Sequence, residues 1–173
     1  YLRQDIIWHK PNPMPESVRD RCTKSHEYIF LFSKNRKYYY DNEAIKEPVK
    51  QDWGTRNRDN GKYHKEGTGL APHSGLTKSY TTKNKRSVWS VTNKPYKGAH
   101  FAVFPPELIE PCIKAGSEKG DIILDPFMGS GTTGMVAKQL GRDYIGCELN
   151  EEYGKLIQKR VTDYKVSIMD IIE

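Results

Sequence analysis

The stretch DIILDPFMGSGTTGMVAKQLGRDYIGCEL, residues 121–149, constrains the fold of this chain more than any other part of it. A short apolar run, 121–125, enters a glycine turn. A helical pattern over 132–141 follows and stops at Gly141, and a second apolar run over 143–149 contains the acid Glu148. Strand, glycine turn, helix and strand form a βαβ unit, whose strands lie parallel and whose crossover is right-handed. Gly129 and Gly131 let the backbone approach a ligand that a Cβ would hold off. Glu148, at the end of the second strand, can accept hydrogen bonds from both hydroxyls of a ribose. The expected fold class is therefore α/β and Rossmann-like, with a mostly parallel sheet.

Three nucleotide-like cofactors compete for such a turn. A phosphate loop for ATP or GTP requires G-x-x-x-x-G-K-[ST], and no lysine follows the last turn glycine here. A dinucleotide fingerprint, G-x-G-x-x-G, is satisfied literally by Gly129, Gly131 and Gly134. S-adenosylmethionine also needs a glycine turn and a ribose-binding acid, but it carries a sulfonium and an ammonium where NAD carries a pyrophosphate. Asp125 at the start of the turn suits the ammonium and repels a pyrophosphate, which favours the methyl donor. Each residue also has a plainer role. Asp125 can cap the turn, Glu148 can be a surface acid, Ser130 and Thr132 can shape the helix start, and Phe127 can be core.

The remaining chain reads as the rest of such a domain with an interruption. DIIWHK (5–10) and HEYIFLFSK (26–34) are strand-like and too close in sequence for a crossover helix, so an antiparallel hairpin is expected. PPELIEPCIKAGS (105–117) is a helix with Leu108, Ile109, Cys112 and Ile113 on one face and a kink or a short first turn expected at Pro111. EEYGKLIQKRVTDY (151–164) is another, with Tyr153, Leu156, Ile157, Arg160, Val161 and Tyr164 at helical spacing. Between the hairpin and the first of these helices, residues 50–98 have no regular period. They hold eleven Lys and Arg against three acids, a local charge of +8 in a chain whose net charge is +6. Trp53, Tyr63 and Tyr80 are interleaved with those cations. Cations beside aromatic rings suit a nucleic-acid surface, and Arg56, Arg58, Lys62, Lys83, Lys85 and Arg86 are the candidate DNA contacts. A solvated loop is the plainer reading of the same segment. Trp89, where the segment rejoins the orderly pattern, reads as a core or hinge aromatic. Cys22, Cys112 and Cys147 lack the pairing or spacing of a disulfide framework or zinc site, so no metal is expected. No apolar run reaches the length of a bilayer span, and the expected compartment is the cytoplasm.

DPFMGSGTTGMVAKQLGRDYIGCELNEEY closely resembles the cofactor motif of the DNA amino-methyltransferases that modify adenine N6 or cytosine N4. AHFAVFPPELIEPCIKAGSEKGD (99–121) is similar to the segment preceding that motif in the subclass whose cofactor region comes last. Residues 5–34 resemble the family's strand hairpin. The resemblance implies the methyltransferase form of the Rossmann-like fold, with S-adenosylmethionine held by Asp125, Pro126, Phe127, Gly129, Ser130, Gly131, Thr132 and Glu148. It implies 1–49 as part of the catalytic core, 50–98 as the target-recognition insertion and 99–173 as the cofactor-binding part. Double-stranded DNA is the implied substrate, a homodimer a further expectation, and a bacterial or phage restriction-modification system the setting. In that chemistry the exocyclic amine attacks the sulfonium methyl directly, while a (Asp/Asn/Ser)-Pro-Pro-(Tyr/Phe) tetrapeptide holds the flipped base. The tetrapeptide is absent: FPPE (104–107) lacks the polar and aromatic ends, and DPFM (125–128) belongs to the cofactor turn. The opening YLRQDIIWHK reads as the interior of a longer protein, with the signature expected upstream of Tyr1. The 173 residues alone are expected to be inactive. The alternatives are a DNA- and cofactor-binding half that needs a partner segment, and an NAD-dependent oxidoreductase.

Overall fold

The computed structural model describes residues 1–49, 81–93 and 103–162. The chain divides into two units, residues 1–45 with 86–173 and residues 46–85. In the first unit, β1 (Leu2–His9) pairs antiparallel with β2 (His26–Phe32), in a register that sets Ile6 opposite Ile29 and Trp8 opposite Glu27. This is the hairpin expected from the two aromatic-rich runs.

In the second unit, β3 (Glu47–Pro48) and β4 (Thr82–Lys83) form a two-residue antiparallel ladder, in which the Lys83 ammonium stands 4.0 Å from the Glu47 carboxylate. Back in the first unit, β5 (Val88–Ser90) lies parallel to β1 on the side away from β2. Trp89 is therefore a strand residue, buried with Ile6, Trp8 and Leu108. Both indoles are satisfied: Trp8 Nε1 donates to the Val91 carbonyl at 2.8 Å and Trp89 Nε1 to the Arg86 carbonyl at 2.7 Å.

Helix α1 (Pro106–Gly116) joins two core clusters because its apolar stripe is wide. Leu108 belongs to the tryptophan cluster, whereas Ile113 packs with Val136 and Ala137. The helix runs through Pro111, and the missing amide costs one backbone bond, to the Glu107 carbonyl. The βαβ unit follows as β6 (Ile122–Asp125), α2 (Thr132–Gln139) and β7 (Asp143–Gly146), with β6 and β7 parallel and in register from Ile122–Asp143 to Asp125–Gly146. Gly141, at φ +72°, ends α2 in the left-handed conformation, and the Arg142 amide donates back to the Ala137 carbonyl at 2.8 Å. The Arg142 side chain is itself buried, donating to the carbonyls of Ser117 and Leu140. Helix α3 (Glu151–Thr162) is opened by Asn150, whose side-chain oxygen accepts the Glu152 amide at 3.0 Å. Tyr153, Leu156, Ile157, Arg160 and Val161 of its stripe are half-buried, and Tyr164 lies outside the described residues.

Met128 is the side chain around which α2 closes on β7. It is 4% exposed, and a Cβ placed on Gly146 would stand 2.7–2.9 Å from its Cε, Cγ and Sδ. A Cβ on Gly134 would stand 2.7 Å from Met128 Cε and 3.1 Å from the Tyr144 ring. Both glycines are thus spaces for Met128. Gly146→Ala is expected to cost about 1–3 kcal/mol by overpacking, read as a lower urea midpoint of the full-length protein. An unchanged midpoint would show that Met128 repacks freely.

Candidate functional site

The site lies where α/β folds bind their ligands, beyond the carboxyl ends of the parallel strands. At the end of β6, Asp125 Oδ1 accepts the Phe127 amide at 2.9 Å and Oδ2 accepts the Thr133 hydroxyl at 2.5 Å. These bonds tie the first residue of the turn to the start of α2. The carboxylate does cap the turn, and each oxygen keeps a second lone pair for a ligand. Thr133, the partner that α2 supplies, carries no signal in the sequence beyond its place in the motif.

After β7 the chain bends back instead of continuing the strand to residue 149. The Cys147 amide donates to the Asp125 carbonyl at 3.0 Å, and the Met128 amide to the Cys147 carbonyl at 2.9 Å. This places Glu148 against the turn. Its Oε2 accepts the Gly129 amide at 2.7 Å, across nineteen residues, and its Oε1 accepts the Asn150 amide at 3.0 Å. Asp125 and Glu148 therefore both reach the glycine turn, each by direct backbone bonds to it or its flanks. Gly129 and Gly131 have φ of +54° and +83°, conformations in which a side chain is strained.

The other residues of the turn divide between an inner and an outer side. Ser130 and Thr132 are each 3% exposed and face inward, where Arg160 donates to both hydroxyls at 2.8 and 3.1 Å. A Cβ on Gly131 would also point inward, 3.2–3.3 Å from Ile157 of α3, so that glycine serves the packing of α3 rather than the approach of a ligand. Phe127 is 88% exposed, which sets aside its reading as core. Leu149, beside Glu148, is fully exposed as well, an apolar residue that periodicity alone does not single out. Pro126 is exposed between Asp125 and Phe127.

Among the described residues no His, Cys, Asp and Glu cluster could hold a metal ion, and no helix is long and apolar enough to cross a membrane. The three cysteines are free thiols. Of the candidate DNA contacts, Arg56, Arg58 and Lys62 lie outside the described residues. Lys83 is half-buried in the β3–β4 ladder and faces Glu47. Lys85 is half-buried too, and Arg86 is exposed.

The sequence profile of the N6/N4 methyltransferase family, described as DNA methylase, matches residues 1–159. The chain belongs to this family. The DNA methylase relatives include the type II methyltransferase M.SmaI of Serratia marcescens, 50% identical over 161 residues that cover 93% of this chain and 46% of that protein. Another, M.XycI of Xanthomonas campestris pv. cyanopsidis, is 46% identical over 171 residues, covering 99% of this chain and 48% of that one. The chain thus spans about half the length of these relatives. Among solved structures, M1.HpyAVI in complex with S-adenosylmethionine superposes with a TM-score of 0.58 at 27% identity, over 92% of this chain and 61% of that one. The chain accordingly has the Rossmann-like α/β fold.

Proposed function

We propose that residues 125–149 hold S-adenosylmethionine in an enzyme that methylates an exocyclic amino group of DNA, adenine N6 or cytosine N4, in a bacterial restriction-modification system. The observation that supports this most is the pair of acids at the ends of adjacent parallel strands, with Glu148 bonded to Gly129 at 2.7 Å. Two carboxylates beside one turn disfavour a pyrophosphate and suit a ligand with cationic groups. Asp125 accepts from the ammonium and Glu148 from the ribose hydroxyls. A carboxylate offers about four acceptor positions, so each acid can bind a ligand while it holds the turn. Phe127 and Leu149, each exposed shortly after one of these acids in sequence, supply apolar surface for the adenine. Ser130, Gly131 and Thr132 face inward and act by holding the turn.

S-adenosylmethionine supplies an electrophilic methyl group when bound. The tetrapeptide that would hold the target base is not among the 173 residues. The residues described here therefore bind and orient the donor, and the isolated chain is expected to transfer no methyl. Incubation of the full-length protein with DNA and methyl-labelled cofactor tests the assignment. The label is expected on N6-methyladenine or N4-methylcytosine after nucleoside digestion, and label on C5 of cytosine or on no nucleoside would count against it.

The basic segment 50–98 is the proposed DNA contact, supported by its charge of +8. Each phosphate contact lowers the slope of log K against log salt by about 0.9. Replacing Lys83, Lys85 and Arg86 by Ala in the full-length protein should flatten the slope by at most about three contacts' worth. The Lys83–Glu47 pair places the expected change toward the lower part of that range. A slope equal to the parent's would move recognition away from these three residues.

A further inference from the structure

We infer that Arg160, in the last turn of α3, is a positioning residue for the cofactor turn. This rests on the cofactor reading above. Arg160 Nη1 donates to the Ser130 hydroxyl at 2.8 Å, the Thr132 hydroxyl at 3.1 Å and the Ser130 carbonyl at 3.3 Å. One guanidinium nitrogen therefore engages residues on both sides of Gly131. Ile157, three residues earlier and so on the same face of the helix, packs where a Gly131 Cβ would be, at 3.2–3.3 Å. Together they form a wall directly behind residues 130–132.

The turn needs such a wall. Its two glycines hold left-handed conformations, which glycine visits no more readily than several others. Helix α2 begins at Gly131 without a side-chain cap of its own. Ser130 and Thr132 are buried, so the donor they share is supplied by protein and not by solvent. Glu148 fixes the Gly129 amide from one side, and Arg160 fixes the two residues flanking Gly131 from the other. A change at Arg160 should therefore reach the cofactor through the shape of the turn, without any contact between the two.

Calorimetric titration of the full-length protein tests this, with S-adenosylmethionine and S-adenosylhomocysteine as ligands, well below the melting temperature of each variant. Arg160→Met should bind both ligands about tenfold to a hundredfold more weakly, the scale of one hydrogen bond to a charged group passed on to the ligand through the turn. The two losses should be equal, because the ligands share the adenosine and differ only in the charged methyl. Arg160→Lys, which keeps a donor at the same place, should retain affinity between Met and parent, and it carries the test if the Met variant does not fold. Ser130→Ala with Thr132→Val should weaken binding in the parent and add little in the Arg160→Met background, since partners in one network are not additive. A lowered melting temperature with unchanged Kd would make Arg160 a strut only and overturn the inference. So would full additivity, or a loss confined to the sulfonium ligand. A parent that binds neither ligand would overturn the cofactor reading and this inference with it, whereas a binding parent with an indifferent Arg160→Met overturns this inference alone.

Discussion

Gly131→Val in the full-length protein is expected to lose stability and cofactor affinity together. The position holds φ +83°, which a β-branched residue adopts only under strain. The added side chain would also start 3.2–3.3 Å from both the backbone and the side chain of Ile157. Strain and overpacking together should cost about 2–5 kcal/mol, a large share of a domain's ordinary stability of about 5–15 kcal/mol. The sequence alone suggests a different outcome, since a glycine in such a turn reads as room for a ligand. In the structure the room is filled by α3. Denaturation without cofactor separates the two: a midpoint equal to the parent's, with cofactor binding abolished, would return Gly131 to the ligand side.

Glu148→Ala is the second large effect, and it falls on binding more than on stability. The substitution removes the acceptor proposed for the ribose hydroxyls. It also removes the acceptor that holds the Gly129 amide at 2.7 Å, which keeps the turn in place before any ligand arrives. A hydrogen bond to a charged group is worth about 1.5–3 kcal/mol, so one such bond implies roughly tenfold to hundredfold weaker binding. Glu148→Gln keeps one carbonyl acceptor and should fall between. The loss should be the same for S-adenosylmethionine and S-adenosylhomocysteine, because both carry the ribose. Parent-like affinity in the Ala variant would remove Glu148 from the site.

Much of the fold was legible because its signals are local. The β1–β2 hairpin, the βαβ unit and the three α-helices are each written in periodicity or in breakers such as Gly141. What could not be read depends on residues far apart in sequence. β5 is only three residues long, and its partner, β1, lies some eighty positions away; nothing within VWS distinguishes it from a buried loop aromatic. The strand expected over 143–149 stops at Gly146 because Cys147 and Glu148 turn toward the glycine turn. That interaction has no local signature.

The site shows the same division. The places of Asp125, Gly129 and Glu148 follow from the chemistry proposed for a nucleoside cofactor at a strand end and a turn, whereas the packing of Gly131 against Ile157 does not. The inward direction of Ser130 and Thr132 does not, nor does the reach of Arg160 across twenty-eight to thirty residues. Helical spacing placed Arg160 on the apolar stripe of 151–164, where a charged residue is unexpected; that mismatch was the one available sign that it had a buried polar partner. Phe127 could be read either way, and its 88% exposure comes from its place just beyond the last strand residue of β6.

The central claim is that the turn at 125–149 takes S-adenosylmethionine and not a dinucleotide. Parallel calorimetric titrations of the full-length protein with S-adenosylmethionine and with NAD test it most directly, because the literal Gly129, Gly131 and Gly134 spacing allows either ligand. The two acids predict saturable binding of S-adenosylmethionine that Glu148→Ala weakens, and no measurable heat from NAD. Binding of NAD with none of S-adenosylmethionine would contradict the account.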